Sequence, residues 1–299
     1  LQNAIASLPN SQSQVGRVNK YTAYALLGKV LLYQDKFTEA ASALDNVIGV
    51  YSLVSDYGSQ FLRFGENGPE SVFEIQYSNQ SNWYDWGCAH CSEGNYAIIM
   101  NGPRGWSGPE YAQGWSFNVP TEEFYNSFEE GDSRRDATVL DIEAFAAATG
   151  ASYTEGYDHT GYFNNKYIPR AGESGGQTEL NYLTNFRIIR YSDVLLMAAE
   201  AYNRGGIDDG IAQEFLNQVR RRAFGGDDND ISASGSALTN AIWEERKFEL
   251  SLEGHRFFDL VRTGQASSLI PGFVEGKHEV FPIPQQEVDI SGLTQNAGY

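Results

Sequence analysis

Apolar residues recur at helical spacing near the start of the chain. Within residues 15–50 one stripe consists of Ala23, Leu26, Leu27, Val30 and Leu31, and a second consists of Phe37, Ala40, Leu44, Val47 and Ile48. Residues that repeat every three to four positions lie on one face of an α-helix. The pattern therefore predicts an antiparallel helix pair, in which the small side chain of Ala40 lets the helices approach closely.

A second helix pair is predicted over residues 187–224. Its first helix carries Ile188, Val194, Leu195, Ala198 and Ala201, and its second carries Ala212, Phe215, Leu216 and Val219. The Gly205-Gly206 dipeptide separates them. A third helix, over about 236–262, is expected to pack on this pair. The spacing between the pairs is far from a uniform tandem period, which indicates a repeat core interrupted by a large insertion.

The insertion covers residues 51–186 and has little sustained periodicity. It is rich in Gly, Asn, Ser and Tyr and holds four of the five Trp residues. Residues 71–77 alternate as a strand does, and residues 121–130 read as a short helix with Thr121 as its N-cap. After residue 263 we expect loops, because Pro271, Pro282 and Pro284 oppose helix formation.

These patterns predict a mainly α fold. A tetratricopeptide-like helical frame carries a large loop-rich, aromatic-rich insertion that forms the binding face. We expect one domain over 1–299, made of a helical pair (1–50), the insertion (51–186), a helical pair with a buried helix (187–262) and C-terminal loops (263–299).

The segment 244–262 carries charges on a helix that is apolar nearly all round. On a helical wheel its charges fall within one arc of about 120°, and they include Glu245, Glu249, Glu253, Arg256 and Asp259. Such a helix is usually buried, so its charges should be paired. We predict a structural role for Arg246, Glu249, Glu253, Arg256 and Asp259. Glu249 and Glu253 would pair with Arg246 and Arg256, and Asp259 with Arg262. The alternative is an exposed, salt-bridged helix.

The order of motifs along the chain resembles a known family. The pattern ER-x-x-EL-x-x-EG-x-R-x-x-DL-x-R runs through 245–262, RYSDVLLM with Ala199-Glu200-Ala201 through 190–201, and LNQVR through 216–220. The end holds PIP at 282–284 and QNAGY at 295–299, and the start holds Gly16-Arg17 with ALLGKV at 25–30. With these motifs the chain resembles the SusD/RagB family, the surface nutrient-binding lipoproteins of Bacteroidetes.

The resemblance implies a non-catalytic, lipid-anchored protein of the outer-membrane surface. Such a protein delivers oligosaccharide to a SusC-like, TonB-dependent transporter and forms a lid over it. The chain has no starting Met, signal peptide or lipidated Cys near Leu1, so we expect it to be N-terminally truncated, about three-fifths of a family member. Because the family's glycan-contacting aromatics lie in variable loops, the resemblance identifies no ligand residue.

The charge balance limits the partners. Lys plus Arg number 21 against 39 Asp plus Glu, a net charge of −18. No basic stripe is available to neutralise phosphates, so nucleic acid is not an expected partner. Arg63 and Arg104 are among the few basic residues of the aromatic loops, which favours a neutral glucan over an acidic glycan. No run of 18 apolar residues occurs, so we expect no transmembrane segment.

The only two cysteines, Cys88 and Cys91, lie in Trp-Gly-Cys-Ala-His-Cys. A CxxC motif can form a disulfide, a redox pair or half of a metal site. Zinc needs four ligands and no second pair follows, so we predict a local disulfide, and no metal or cofactor. The run Asp227-Asp228-Asn229-Asp230 resembles part of a calcium loop but lacks its spacing and closing Glu.

No catalytic motif is recognisable, and no catalytic residue is proposed. Aromatic residues favour binding, because Trp and Tyr planes bury the apolar face of a sugar while polar neighbours bond its hydroxyls. The candidates form two clusters, Asn82, Trp83, Tyr84, Asp85 and Trp86 in the first, and Arg104 and Trp106 in the second. Trp115 reads as framework, and the Tyr residues of 151–163 are the next candidates.

The function predicted from the sequence is capture of a glycan at the cell surface. Two other classes stay open at this stage. A peptide- or protein-binding helical-repeat protein would share the frame, and a glycosidase could use a carboxylate pair among the 39 acidic residues.

Overall fold

The structure, a computed structural model, describes residues 1–80, 86–175 and 178–299. The chain divides into two compact units, Leu1–Glu253 and Gly254–Tyr299. Within the described residues the secondary structure is mostly helical, with only short strands. No helix there is long and apolar enough to cross a membrane.

The described part of the chain forms thirteen α-helices and six strands. The helices are α1 (Gln2–Ser7), α2 (Lys20–Leu32), α3 (Phe37–Leu44), α4 (Ala97–Met100), α5 (Glu122–Asn126), α6 (Arg134–Thr138), α7 (Ile142–Thr149), α8 (Tyr191–Arg204), α9 (Asp209–Phe224), α10 (Gly235–Glu249), α11 (Arg256–Arg262), α12 (Ala266–Leu269) and α13 (Gln285–Ser291). The strands are β1 (Ser71–Ile75), β2 (Arg104–Ser107), β3 (Val139–Asp141), β4 (Ser152–Thr154), β5 (Tyr162–Asn164) and β6 (Phe186–Arg190). Short 3₁₀ turns occur at Gly58–Phe61, Arg63–Gly65, Trp86–Cys91 and Thr178–Leu180.

Helices α2 and α3 form the first pair, as the periodicity predicts. The face of α2 that is buried differs from the predicted stripe, because Ala25, Gly28 and Leu32 are buried while Leu26 and Val30 are exposed. Gly28 lies so close to the side chain of Leu44 that a Cβ there would overlap it. The close approach therefore depends on small residues from both helices, which a count of large apolar residues cannot reveal.

Helix α8 lies at the centre of the frame and packs against α3, α9 and α10. Most of its residues are fully buried, including Val194–Ala199. Helix α9 is capped at its start by Asp208, whose side chain accepts hydrogen bonds from two backbone N–H groups, and at its end by Gly225 in the left-handed conformation. The second predicted helix pair is confirmed as α8 and α9, but the assignment of Ile188 to its first helix is wrong, because residues 186–190 pair with β1 as strand β6. Helix α8 forms most of the contacts that hold the frame together.

The prediction of one continuous third helix over about 236–262 is wrong. Helix α10 ends at Glu249, and α11 begins only at Arg256. Between them Leu252 and Gly254 have positive φ values of 62° and 84°, which a helix cannot contain. A single helical wheel over 244–262 therefore places Glu253 in the wrong direction. Gly254 was the available signal for this break.

Charged side chains form a buried network inside the first unit. Among the described residues it comprises the basic side chains of Arg134, Lys166, Arg190, Arg220 and Arg222 and the acidic side chains of Glu70, Asp132, Glu245, Glu249 and Glu253. We call this set the charge network. The guanidinium of Arg190 bonds Glu70 at 2.7 Å and both Glu249 and Glu253 at 2.8 Å.

The partners of the predicted charged set come largely from outside its segment. The predicted pairing of Glu249 with Arg246 is wrong, because Glu249 bonds Arg134, Arg190 and Arg222 instead. Arg246 reaches Asp193 of α8 at 2.7 Å. Sequence proximity favoured the local pairing, but the folded chain brings distant cations closer to the buried carboxylate.

Burial and neighbouring charges shift the pKa values of Glu249 and Lys166 in opposite directions. Burial alone would raise the pKa of Glu249, but the surrounding Arg222, Arg190 and Arg134 hold it well below its usual range. Burial lowers the pKa of Lys166 to about 8, against the opposing effect of Glu253 at 2.6 Å. The carboxylate of Glu249 is therefore charged at neutral pH, and it remains so only while its cations are in place.

The insertion is attached to the frame through strand pairing and through the charge network. Strand β1 pairs antiparallel with β6, β2 with β4, and β3 with β5. Arg134 and Lys166 belong to the insertion, and they bond Glu249 and Glu253 at the end of α10. The predicted strand and the predicted helix start are both present, since β1 covers Ser71–Ile75 and Thr121 caps α5.

The second unit consists of short helices and a C-terminal turn. Asp259 is buried and pairs with Arg262 at 2.8 Å, while Arg256 is half-buried. Pro284 precedes α13 as its N-cap, so the expectation that the prolines exclude helix after 263 is wrong. A proline is compatible with the start of a helix, where no backbone donor is lost.

The C-terminal motif is explained by hydrogen bonds within this unit. Gln295 donates to and accepts from the backbone of Ile283, at 2.8 and 2.7 Å. Asn296 donates to the carbonyl of Phe281, and the hydroxyl of Tyr299 donates to the carbonyl of Val280. The residues of QNAGY therefore hold the preceding proline-rich segment in place.

The charge network generates a stability prediction. Replacing Glu249 with Ala removes a carboxylate shared by three arginines and leaves buried positive charge, so unfolding should cost about 3–5 kcal/mol less than in the unaltered protein. Urea unfolding measures this difference. The matched control is Glu244→Ala on the same helix, where the side chain is exposed and the change should stay below about 0.5 kcal/mol. Equal stability of the two variants would contradict a structural role for Glu249.

Candidate functional site

The first predicted cluster lies mostly outside the described residues. Asn82, Trp83, Tyr84 and Asp85 fall in the gap at 81–85. Trp86 follows the gap and is 51% exposed. Trp86 is the one member of this cluster among the described residues, and the assignment of the other four residues remains a prediction.

Three aromatic rings lie next to one another around Trp86. The Trp86 ring stacks on Trp115, with 5.9 Å between centroids and 27° between planes. The ring of Phe117 contacts Trp115 edge-on at 6.5 Å and is 51% exposed. We call these three rings, Trp86, Trp115 and Phe117, the aromatic surface. Two of its three members are half exposed, and together with Trp115 they form adjacent aromatic area of the kind that can serve as a binding site.

Trp115 is held by backbone hydrogen bonds between residues 114–117 and residues 99–103, which comprise the end of α4 and the segment after it. Its N–H donates to the carbonyl of Ile99, and the N–H of Phe117 donates to that of Met100, both at 2.8 Å. A side chain at Gly114 would collide with the carbonyl oxygen of Asn101, so only glycine permits this approach. The ring also packs against the buried aromatic cluster around Phe61. Trp115 is therefore a rigid base for Trp86.

Ser116, which lies between Trp115 and Phe117 in the sequence, has a positive φ of 58°. Its hydroxyl lies 3.1 Å from the backbone nitrogen of Arg104, which donates to it. A left-handed conformation is uncommon for a residue with a Cβ, and it is retained here by these local bonds. The turn gives Trp115 and Phe117 planes that are perpendicular to each other.

The loop that carries Trp86 is tied to a neighbouring loop. Ser92 donates from its hydroxyl to the carbonyl of Leu180 at 2.6 Å, and Asn95 donates from its backbone to the carbonyl of Tyr182 at 2.8 Å. Gly94 lies against the backbone of Asn181 and leaves no space for a side chain. These contacts fix the loop that follows Trp86 to residues 180–182.

Cys88 and Cys91 are joined by a disulfide within the turn that begins at Trp86. The bridge closes a loop of few residues, so its effect is local stiffening. It keeps the turn compact directly after Trp86.

Two charged side chains flank the aromatic surface. The indole N–H of Trp86 donates to the Glu179 carboxylate at 2.8 Å. At the other end the guanidinium of Arg104 lies 5.8 Å from the centre of the Phe117 ring, and its Nε donates to the carbonyl of Trp115 at 2.7 Å. Among the described residues neither side chain forms an ion pair. Both can therefore exchange hydrogen bonds with a polar ligand.

The assignment of Trp106 to an exposed platform is wrong. Its ring packs against Tyr111 and Phe145, at 5.9 Å each, and its indole nitrogen is buried. These residues belong to the apolar cluster around Phe163. The residue lies on strand β2, whose neighbouring positions Gly105 and Ser107 are exposed, so the alternation of the strand directs Trp106 inward.

The Tyr residues of 151–163, which are the next candidates for the binding site, differ in their exposure to solvent. Tyr157 is 90% exposed, whereas Tyr153 is partly buried beside His159. Tyr162 stacks on Tyr125 at 4.5 Å, so the two rings cover each other. None of these rings has a described contact with the aromatic surface.

The sequence did not identify Trp115, Phe117 and Glu179 as site residues. The interpretation of Trp115 as framework describes only its buried side. The run Gly114-Trp115-Ser116-Phe117 was an available signal, because alternating aromatics after glycine also mark an exposed turn. Nothing local to Glu179 indicates its position beside Trp86, since that bond joins residues 93 positions apart.

The arrangement is suited to a ligand with both apolar faces and hydroxyl groups. The rings can bury the C–H face of a sugar, and the flanking carboxylate and guanidinium can bond hydroxyls. A separate cleft of about 600 Å³ lies in the frame, lined in part by Tyr51, Tyr191 and Arg222, and it contains no exposed ring stack. Within the described residues no cluster of His, Cys, Asp and Glu could hold a metal ion. Asp230 of the acidic run pairs with Arg221.

Comparison with known proteins places the chain among SusD-like proteins. The sequence model of the SusD family matches residues 141–278. SusD-like protein P2 of Formosa agariphila is 29% identical, and the alignment covers 100% of this chain and 63% of that protein. The chain thus spans less than two thirds of the length of this curated relative.

Solved structures give stronger similarity. A laminarin-binding SusD-like protein is 39% identical with a TM-score of 0.90, covering 100% of this chain and 67% of its own. Surface glycan-binding protein A from Bacteroides thetaiotaomicron, in complex with laminarihexaose, is 32% identical with a TM-score of 0.88, covering 97% and 67%. The mainly α fold expected from the sequence is confirmed by these neighbours.

The disulfide gives a chemical prediction. Alkylation of the unfolded protein without reductant should modify neither Cys88 nor Cys91, because both sulfurs are in the bridge. After reduction, both should be modified, and mass spectrometry counts the added groups. Two modified cysteines before reduction would exclude the bridge.

Proposed function

This chain belongs to the SusD family, and we propose that it is a non-catalytic, cell-surface protein that binds a neutral glucan. The observation that carries the proposal is the aromatic surface, where half of Trp86 is exposed above the fixed ring of Trp115. Stacking of a sugar on such a ring contributes about 0.5–1.5 kcal/mol beyond burial of area. The few rings available suit an affinity in the micromolar to millimolar range.

The proposed ligand is a laminarin-like β-glucan. Two structural neighbours with more than 30% identity are described as binding laminarin or laminarihexaose. The net charge of −18 also favours a neutral chain over an acidic one, because long-range repulsion slows the approach of an anionic polymer. Asn82, Trp83, Tyr84 and Asp85, which precede Trp86 directly in the sequence, are proposed to extend the same surface.

The proposed partner is a SusC-like, TonB-dependent transporter of the outer membrane. Membership of the family supports this partner, and it supports an anchored position at the cell surface. A modest affinity is consistent with a protein that must pass its ligand on. Purification of the protein from its native outer membrane under mild detergent should recover the transporter in the same complex, and recovery of the protein alone would count against the partnership.

Substitution of Trp86 tests the glucan proposal. Trp86→Ala should weaken laminarihexaose binding by about tenfold or more, since it removes the exposed ring of the stack. Its melting temperature should be close to that of the unaltered protein, because half of the ring is exposed. Isothermal titration calorimetry and thermal unfolding give the two quantities.

Phe64→Ala is the matched control for Trp86→Ala. Phe64 is an exposed aromatic of the same insertion and has no described contact with the aromatic surface. Its removal should leave binding unchanged. Wild-type affinity in Trp86→Ala would contradict the proposed site. Release of reducing ends from the glucan would indicate a glycosidase instead, and binding of peptides without glucans would indicate a peptide-binding scaffold.

A further inference from the structure

Glu179 occupies a position that can discriminate between ligands by charge. Its carboxylate accepts the indole N–H of Trp86 through one oxygen, at 2.8 Å. Its other oxygen has no bond to any described residue, and no Lys or Arg of the described chain pairs with it. The edge of the half-exposed Trp86 ring therefore carries a negative charge that no Lys or Arg of the described residues neutralises.

The position of this carboxylate is restricted by the two residues that follow it. Leu180, the next residue, is fully buried, and its carbonyl accepts the hydroxyl of Ser92. The following residue, Asn181, is also fully buried and donates to the carbonyls of Asn79 and Gly175. Glu179 thus extends from an anchored segment, and its charge cannot move far from the indole edge.

A sugar stacked on the exposed part of Trp86 would bring its substituents close to this charge. The pyranose ring covers the indole, so its exocyclic groups lie around the indole edge, which includes the N–H that Glu179 accepts. A neutral hydroxymethyl or hydroxyl group can donate a hydrogen bond to the Glu179 carboxylate. A carboxylate or sulfate in the same place would be repelled. At a separation of about 6 Å, repulsion between two like charges lowers affinity by about threefold at the dielectric constant of water and by about a hundredfold at that of a protein surface, so about tenfold is expected at a solvent-open ring.

We propose that Glu179 is a specificity-determining residue that excludes uronate and sulfated glycans from the aromatic surface while accepting a neutral glucan. The inference rests on the proposed function and deepens it by naming the residue that sets the ligand class. Glu179 would act by two means, a hydrogen bond that orients the Trp86 ring and a charge that disfavours anionic chains. Only the repulsion of anionic chains depends on ionisation of the Glu179 carboxylate.

Arg104 at the far end of the surface does not remove this charge. Its guanidinium lies beside Phe117 and bonds the carbonyl of Trp115. An anionic chain would be attracted there and repelled at Glu179. When the affinity for one ligand is compared between two proteins that both contain Arg104, the contribution of Arg104 to that affinity cancels.

The test uses Glu179→Gln, because the amide oxygen of Gln can still accept the Trp86 N–H while the charge is lost. The probes are a laminari-oligosaccharide and the same oligosaccharide oxidised to carboxylate at C6, so that the two differ in charge with the same linkage. The variant should bind the neutral probe within about twofold of wild type. Its affinity for the oxidised probe should rise about tenfold at low salt, and the gain should shrink as added salt screens the repulsion.

Glu93→Gln is the matched control, since Glu93 is an exposed acid on the loop of Trp86 whose side chain has no described bond to the rings. It removes the same net charge and should produce little gain. An equal gain in both variants would assign the effect to overall charge and overturn the role of Glu179. Unchanged discrimination in Glu179→Gln would overturn it as well, with the glucan proposal intact. Failure of the wild-type protein to bind the neutral probe would overturn the proposed function itself.

Discussion

The guanidinium of Arg190 ties the β1–β6 strand pair to the end of α10 and to Glu253 inside the first unit. It lies at the junction of β6 and α8 and bonds Glu70 beside β1 together with Glu249 and Glu253 at the end of α10. Each of these groups is buried, so none can exchange its partner for water. Such a network does not have to be more stabilising than an apolar core, but it tolerates the loss of no member. Its main effect is that only one arrangement of loops and helices pairs every charge of the network.

The same network explains how a loop-rich insertion can present a defined surface. Arg134 and Lys166 bind the insertion to α10, and Lys166 also lies 4.9 Å from the centre of the Phe61 ring. Phe61 belongs to the aromatic cluster on which Trp115 packs. A chain of contacts therefore runs from the buried charges through this cluster to Trp115, and from there to the exposed ring of Trp86. Rigid support of this kind reduces the entropy lost when a ligand binds.

Local patterns in the sequence predict several of the elements correctly but do not predict the site. Both helix pairs, the strand at 71–75 and the cap at Thr121 follow from spacing and residue type within a few positions. The partners of Glu249 lie 27 to 115 residues away, so no local pattern can select them over Arg246. Trp106 and Trp115 have similar neighbours in sequence, yet one ring turns into a core and the other supports an exposed stack. Which side of a loop residue is covered depends on the tertiary fold.

The central claim is that a glucan binds on the aromatic surface, and a crystal structure with laminarihexaose tests it most directly. The account predicts a glucose ring over the exposed part of Trp86, with a hydroxyl of the ligand within hydrogen-bond distance of Glu179. It also predicts that the Trp86–Trp115 stack is retained in the complex. A ligand bound in the cleft beside Tyr51 and Arg222, with the aromatic surface vacant, would contradict the account.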